Sequence, residues 1–148
     1  DSYGAMYCEQ VEILVKKYLG YALPKGMQVG MHAHNNQQLA FANTIEAIIH
    51  GANRVDASMG GIGRGAGNCA MELLIGFLRN PKFRVRPIYK FLQEYMLPLS
   101  RKLEWGPYPQ YILTGQWNEH PRSAIAARAG DKRDDYVDFY DKLVVDIL

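Results

Sequence analysis

No apolar run in this chain approaches the roughly 18 residues that a helix needs to cross a bilayer. Nor does a charged-then-apolar leader precede the first helical pattern. Both absences favour a cytoplasmic protein with no membrane partner. Cysteine is nearly missing. Cys8 and Cys69 have no CxxC partner, which argues against a disulfide framework or a thiolate metal cage and favours two buried thiols in a reducing compartment. An excess of one charge is missing too, because 17 Lys and Arg stand against 15 Asp and Glu. The basic clusters Lys16-Lys17, Arg84 with Arg86, and Arg101-Lys102 lie far apart, so no continuous face for nucleic acid forms. Internal repeats and low-complexity segments are absent. An initiator Met is absent as well: the chain opens Asp1-Ser2-Tyr3-Gly4 and a helical pattern begins at once, as expected of a piece cut from a longer protein. What is present is 148 residues, 48% hydrophobic, enough for one globular domain with a proper core.

The apolar pattern changes period along the chain. Ala5 to Leu19 places Met6, Val11, Leu14, Val15 and Leu19 on a helical stripe that Gly20 should end. After Pro24-Lys25-Gly26, the stretch Met27 to Ala33 is short, alternating and flanked by glycine, which predicts a strand. Gln38 to His50 returns to helical spacing, with Gly51 as its stop. Arg54 to Ala57 is strand-like and runs into Gly60–Gly67, five glycines in eight positions, before a helix predicted from Asn68 to Leu78. Such alternation means parallel strands joined by right-handed crossovers, in a doubly wound sheet or in part of a (β/α)8 barrel. In either, ligands collect at the carboxyl ends of the strands. Beyond Asn80-Pro81 the pattern becomes helical and proline-broken: Pro87 to Leu103 with Pro98 as a kink, a turn at Trp105–Pro109, then Arg122 to Ala129 and Asp134 to Ile147. In the last of these, Tyr136, Phe139, Tyr140, Leu143 and Ile147 form a packing face rather than a cofactor box.

His32 and His34 carry the chemistry. In Gly30-Met31-His32-Ala33-His34-Asn35-Asn36 they stand two apart at the end of a strand pattern. The strand period of 2 sends both rings off one face, close enough to grip one ion. Hydrogen-bonded core packing is the alternative, but it suits a pair placed directly before Asn-Asn and a helix start poorly. The glycine run is no Walker loop, because it lacks the required Lys. Its glycines allow the backbone to approach a bound carboxylate, carbonyl or phosphate.

Taken in order and spacing, Met31-His32-Ala33-His34-Asn35-Asn36, Ala42-Asn43, Gly51, Arg54-Val55-Asp56-Ala57-Ser58 and Gly61-Ile62-Gly63-Arg64-Gly65-Ala66-Gly67-Asn68 resemble the last two βα units of the HMG-CoA-lyase-like metal-dependent aldolases and synthases. The resemblance covers residues 1–79 well and the tail loosely. It implies an α/β fold: the C-terminal part of a TIM barrel over residues 1–80, then an α-helical extension over residues 81–148. Within the family the chain most resembles the branch that cleaves 4-hydroxy-2-oxo acids, such as 4-hydroxy-2-oxovalerate, to pyruvate and an aldehyde. The implied ligands of a divalent cation, Mn²⁺ or Mg²⁺, are His32 and His34, with Asn68 approaching the same ion. A helix cap is the other role open to Asn68. Ser2, in a DSxG pattern, would contact the substrate carboxylate or else form an ordinary polar turn, and His32 would also meet the substrate. Tyr108, with Tyr111 as a rival, would reach in from the tail to orient the substrate or the leaving aldehyde.

One departure from the family matters. The LRDG-like strand that supplies an aspartate ligand, an arginine and a histidine base does not occur in these residues, so the chain alone is expected to be inactive. The implied partners are a small 2-oxo acid substrate, an acylating aldehyde dehydrogenase docked on the helical tail, and further copies of the chain joined through open sheet edges. Two other readings stand: a Claisen-type acyl-CoA synthase of the isopropylmalate synthase kind, whose GIGxxAGNC loop resembles Gly61 to Cys69, and a non-catalytic interaction module. The aromatic helical tail favours the aldolase over the synthase. Action on HMG-CoA itself is disfavoured, because no reactive cysteine lies between Gly60 and Gly67.

Overall fold

A computed structural model describes residues 1–78 and 82–147. Its first helix, α1 (Cys8–Ala22), begins where the Gln10 side chain turns back to accept the Tyr7 backbone N–H at 2.9 Å. It runs past the expected stop at Gly20, which stays helical. The stop comes instead from a single tight turn, Leu23–Lys25, where Pro24 precedes Gly26 at φ 66°. Strand β1 (Gly30–Met31) pairs in parallel with β2 (Arg54–Val55), Gly30 opposite Arg54 and Met31 opposite Val55. Between them lies α2 (Ala40–Ile49), the crossover helix expected from the sequence.

Both strands are shorter than the apolar pattern predicts, and the reason lies downstream. Beyond Met31 the extended chain finds its partners in the glycine loop: His34 bridges Asn68, and the Cys69 N–H donates to the Ala33 carbonyl at 3.3 Å. These pairings hold residues 68–70 extended, so α3 (Met71–Leu78) starts three residues later than predicted.

The tail opens with α4 (Val85–Phe91), a widened π turn over Leu92–Met96, and α5 (Leu97–Ser100). Pro98 has no N–H to give to the preceding turn, and the expected kink takes the form of this widening. Helix α6 (Pro109–Gln116) was not legible in the sequence, where the prolines read only as a turn. Pro109 occupies the first helical position, in which its missing N–H costs nothing, and Tyr108 is the extended residue before it. Then follow α7 (Arg122–Ala129), at the predicted bounds, and α8 (Tyr136–Ile147). The expected division at residues 80 and 81 lies outside the described residues. No helix among the described residues is long and apolar enough to cross a membrane.

Two cores form. Val11, Val15, Met31, Ala33, Ala40, Ala47, Cys69 and Leu74 close the first, where α1, α2 and α3 meet the strands. Ala66, Tyr111, Ala124, Phe139 and Leu143 close the second, within the tail. The glycine loop joins them. Gly65, at φ 61°, lies so close to the Tyr111 ring that a Cβ would sit 3.1 Å from it, and Trp105 Nε1 donates to the Gly60 carbonyl at 3.0 Å.

Candidate metal centre

The parallel register that sets Met31 beside Val55 places His32 beside Asp56 on the next step. His32 Nδ1 lies 3.1 Å from Asp56 Oδ2. His34 Nδ1 lies 3.0 Å from the Asp1 carbonyl. The two rings stand 5.0 Å apart, centroid to centroid, inclined by 70°, so the strand period does bring them together as the sequence predicts. Both Nδ1 atoms face acceptors. A carbonyl can only accept, so His34 Nδ1 carries the proton, and a neutral His34 ring leaves Nε2 with a free lone pair. The same arrangement holds for His32 against the Asp56 carboxylate. A carboxylate or carbonyl behind each imidazole is the support that metal-binding histidines use to fix tautomer and ring orientation.

His34 is held neutral well into the acid range. Burial, then the nearby charge of Arg64 and the neighbouring His32, push its pKa down to about 4. A proton therefore does not compete with a cation for Nε2 until the solution is strongly acidic.

Asn68 sits across the main chain from His34. Its Nδ2 donates to the Ile62 carbonyl at 3.2 Å, while its Oδ1 is buried without a hydrogen-bond partner. A buried acceptor left unpaired is costly. That orphaned oxygen, packed against Gly63 on a residue whose main chain bridges His34, is what a hard divalent cation would satisfy, and two imidazoles and an amide oxygen are donors such a cation accepts. The side chain spans the glycine loop and does not cap α3. Around it the loop is shaped by main-chain contact: a Cβ on Gly63 would meet the Asn68 amide within 2.8 Å, and one on Gly67, at φ 90°, would lie 2.2 Å from the Gly61 carbonyl. Ser58 anchors the same loop, its hydroxyl donating to the Ile62 carbonyl at 2.6 Å.

The Ser2 hydroxyl is exposed, and the backbone of Ser2 is the part with a partner: its carbonyl accepts from Arg64 Nη2. Tyr108 belongs to the tail. The Arg128 guanidinium lies 3.8 Å over the Tyr108 ring, and the Tyr111 ring stands 6.4 Å away. Among the described residues, no hydrogen bond or ring contact joins Tyr108 or Tyr111 to either imidazole. Sequence reasoning gave no role to Asp1, Asp56 or Arg64. The signal for Asp56 was its place in the register opposite His32, visible only once the strands are paired.

Another group of ligating atoms, from Glu12, Glu46 and His50, lies on the outer face between α1 and α2, all within 4.8 Å of one another. His50 Nε2 is already 2.8 Å from Glu46, and Glu12 is paired with Lys16 at 2.5 Å. Pairing along each helix, His50 with Glu46 and Lys16 with Glu12, accounts for it.

Residues 1–94 match the HMGL-like domain family. The chain is a member of that family, and the imidazole pair and the glycine loop both fall inside the matched segment. Among curated relatives, the 4-hydroxy-2-oxovalerate aldolase of Thermus thermophilus is 40% identical over 112 residues, 74% of this chain and 31% of the relative. The aldolase of the same name from Bacillus thuringiensis is 35% identical over 119 residues, 78% of this chain and 32% of the relative. The chain thus spans about a third of the length of these relatives. The N-terminal domain of a candidate aldolase from Bacteroides vulgatus superposes with a TM-score of 0.74 at 29% identity, over 99% of this chain and 46% of that one. The carboxyl transferase domain of Rhizobium etli pyruvate carboxylase, solved with pyruvate, superposes with a TM-score of 0.65 at 18% identity, over 90% of this chain and 24% of that one. This second likeness is one of fold alone.

Proposed function

We propose that this chain is the cation-holding part of an aldolase that cleaves a 4-hydroxy-2-oxo acid to pyruvate and an aldehyde. The observation that carries the reading is the imidazole pair with both Nδ1 atoms committed to acceptors and both Nε2 atoms left for a ligand. The names of the curated relatives supply the reaction class. In this reading residues 1–80 are the last βα units of a barrel and residues 81–148 a helical extension packed on its mouth.

Each group has a part. His32 and His34 hold a divalent cation, Mn²⁺ or Mg²⁺, and the Asn68 amide oxygen approaches it. Bound there, such an ion supplies positive charge where negative charge develops as the C3–C4 bond breaks. Asp56 orients the His32 ring, and the Asp1 carbonyl orients that of His34. Gly63, Gly65 and Gly67 let the loop close tightly on the Asn68 amide, the Tyr111 ring and the Gly61 carbonyl. The Ser2 hydroxyl meets the substrate carboxylate, and Tyr108 orients the aldehyde end. The group that takes the 4-hydroxyl proton comes from elsewhere in the barrel, so residues 1–148 alone release no pyruvate. Further proposals are an acylating aldehyde dehydrogenase bound on the tail, a cytoplasmic location, and self-association of the isolated chain through its two-stranded sheet.

The decisive experiment titrates the chain with Mn²⁺, following the paramagnetic signal of the free ion. One ion should bind per chain, and His34→Ala should abolish binding. No binding, or binding that survives the loss of His34, overturns the reading. Pyruvate release from 4-hydroxy-2-oxovalerate by the chain alone would overturn its dependence on groups from elsewhere.

A further inference from the structure

Arg64 projects into solvent from the middle of the glycine loop, between Gly63, which packs on the Asn68 amide, and Gly65, which packs on the Tyr111 ring. Its guanidinium donates to the Ser2 carbonyl, one residue along from the Asp1 carbonyl that receives His34 Nδ1. Tyr3, the next residue, meets the His120 ring of the tail edge-on at 5.3 Å. Among the described residues no carboxylate pairs with Arg64, which is exposed, so all but one of the N–H donors of its fork are open to an anion from solvent.

This placement conflicts with a cation site taken alone. A guanidinium bound to the carbonyl next to the one that receives His34 Nδ1 also repels a divalent ion held by that ring. The repulsion reverses when an anion lies between them, because a carboxylate can lean on the cation with one oxygen and take a charge-assisted hydrogen bond from the guanidinium with the other.

Building on the function proposed above, we infer that Arg64 is the specificity-determining anchor for the anionic end of the ligand, gripping the carboxylate of the 2-oxo acid from the side opposite the imidazoles. The exposed Ser2 hydroxyl is then an accessory to that grip. Ligands lacking a carboxylate beside the oxo group are rejected by a guanidinium left facing a cation.

The probe is oxalate, a small dicarboxylate, titrated calorimetrically into the 148-residue chain with and without Mn²⁺, beside Arg64→Gln and Arg64→Lys. Arg64→Gln should bind Mn²⁺ alone two- to fivefold more tightly than the native chain, because a repelling charge is gone. It should bind oxalate at least tenfold more weakly once Mn²⁺ is present. Arg64→Lys should keep most of the oxalate affinity. Opposite signs for cation and anion are what a merely structural arginine cannot give, since loss of loop order would weaken both. Equal oxalate affinity in the native chain and Arg64→Gln, or parallel loss of both ligands, overturns the inference. If Mn²⁺ binds nowhere, the metal reading fails separately, and the arm without metal decides for Arg64: an oxalate affinity lost in Arg64→Gln sustains the anchor, and its absence from the native chain sinks it.

Discussion

In residues 1–78 the groups that matter are placed by main-chain contacts. His34 is fixed by a bridge to Asn68 and a carbonyl from Asp1, His32 by the register of two paired strands, and the loop around Asn68 by glycines that admit no Cβ. In the tail the organising contacts are made by charged side chains. Arg128, its side chain 4% exposed, forms a two-pronged pair with Glu104 at 2.8 and 2.7 Å, takes Asp134 at 3.3 Å, and roofs the Tyr108 ring. Arg133 joins the same carboxylate. The difference bears on what each half tolerates. A site set by backbone geometry fails when a small residue grows, whereas a region set by a charge cluster fails when one partner is neutralised and the other stays buried.

The largest effect expected is that of Gly67→Ala. The added carbon would lie 2.2 Å from the Gly61 carbonyl at a φ of 90°, so the loop must open and carry Asn68 with it. Denaturant unfolding should show a loss of more than about 3 kcal/mol, and the Mn²⁺ titration should show no binding. An unchanged unfolding midpoint would mean that the loop is more pliant than its contacts indicate.

Glu104→Gln breaks the tail in the other manner. The Arg128 pair holds the Glu104 carboxyl below its usual range, with burial opposing. Losing that charge strands a guanidinium that keeps only Asp134 and the Arg133 carbonyl. A cost of about 2–3 kcal/mol is expected, with faster amide exchange across α7 and α8. Mn²⁺ affinity should not move. If it does, the two halves are energetically one.

Asp56→Asn sharpens the contrast within the first half. His32 and Asp56 are both open to solvent, their side chains 50% and 69% exposed, so the pair adds little to stability. As the support behind a ligand it should still matter, and Mn²⁺ affinity should fall about tenfold or more with unfolding unchanged.

The same contrast governs what the sequence made legible. The helix–strand alternation, the crossover helix α2 and helix α7 follow from apolar period and from glycine and proline punctuation, which are local properties. The imidazole pair was readable because strand geometry fixes the facing of residues two apart. Helix α6 was hidden because Pro107 and Pro109 read as a turn, and only the second core, which buries Tyr111, makes a helix there worthwhile. Short β1 and β2, Asp56 behind His32, and Arg64 against the Ser2 carbonyl all depend on pairings between segments far apart in the chain. No local signal encodes those partners.

The smallest effect is electrostatic and comes from His34. Burial, then Arg64 and His32, hold its folded pKa near 4, against about 6.5 for an unfolded chain. Between those values the unfolded chain takes up a proton that the fold refuses, so stability declines as pH falls from about 6.5 to about 4 and gains nothing from this group above that window. Since the ring is partly open to solvent, the part assignable to it is about 1 kcal/mol after screening. The Glu104 carboxyl is held below its usual range by Arg128, and comparison with His34→Gln removes what the carboxylates contribute. The difference between the two unfolding curves should grow as pH rises from 4 to 6.5 and then level off. A difference that stays flat across this range would show the ring to be as hydrated in the folded chain as in the unfolded one.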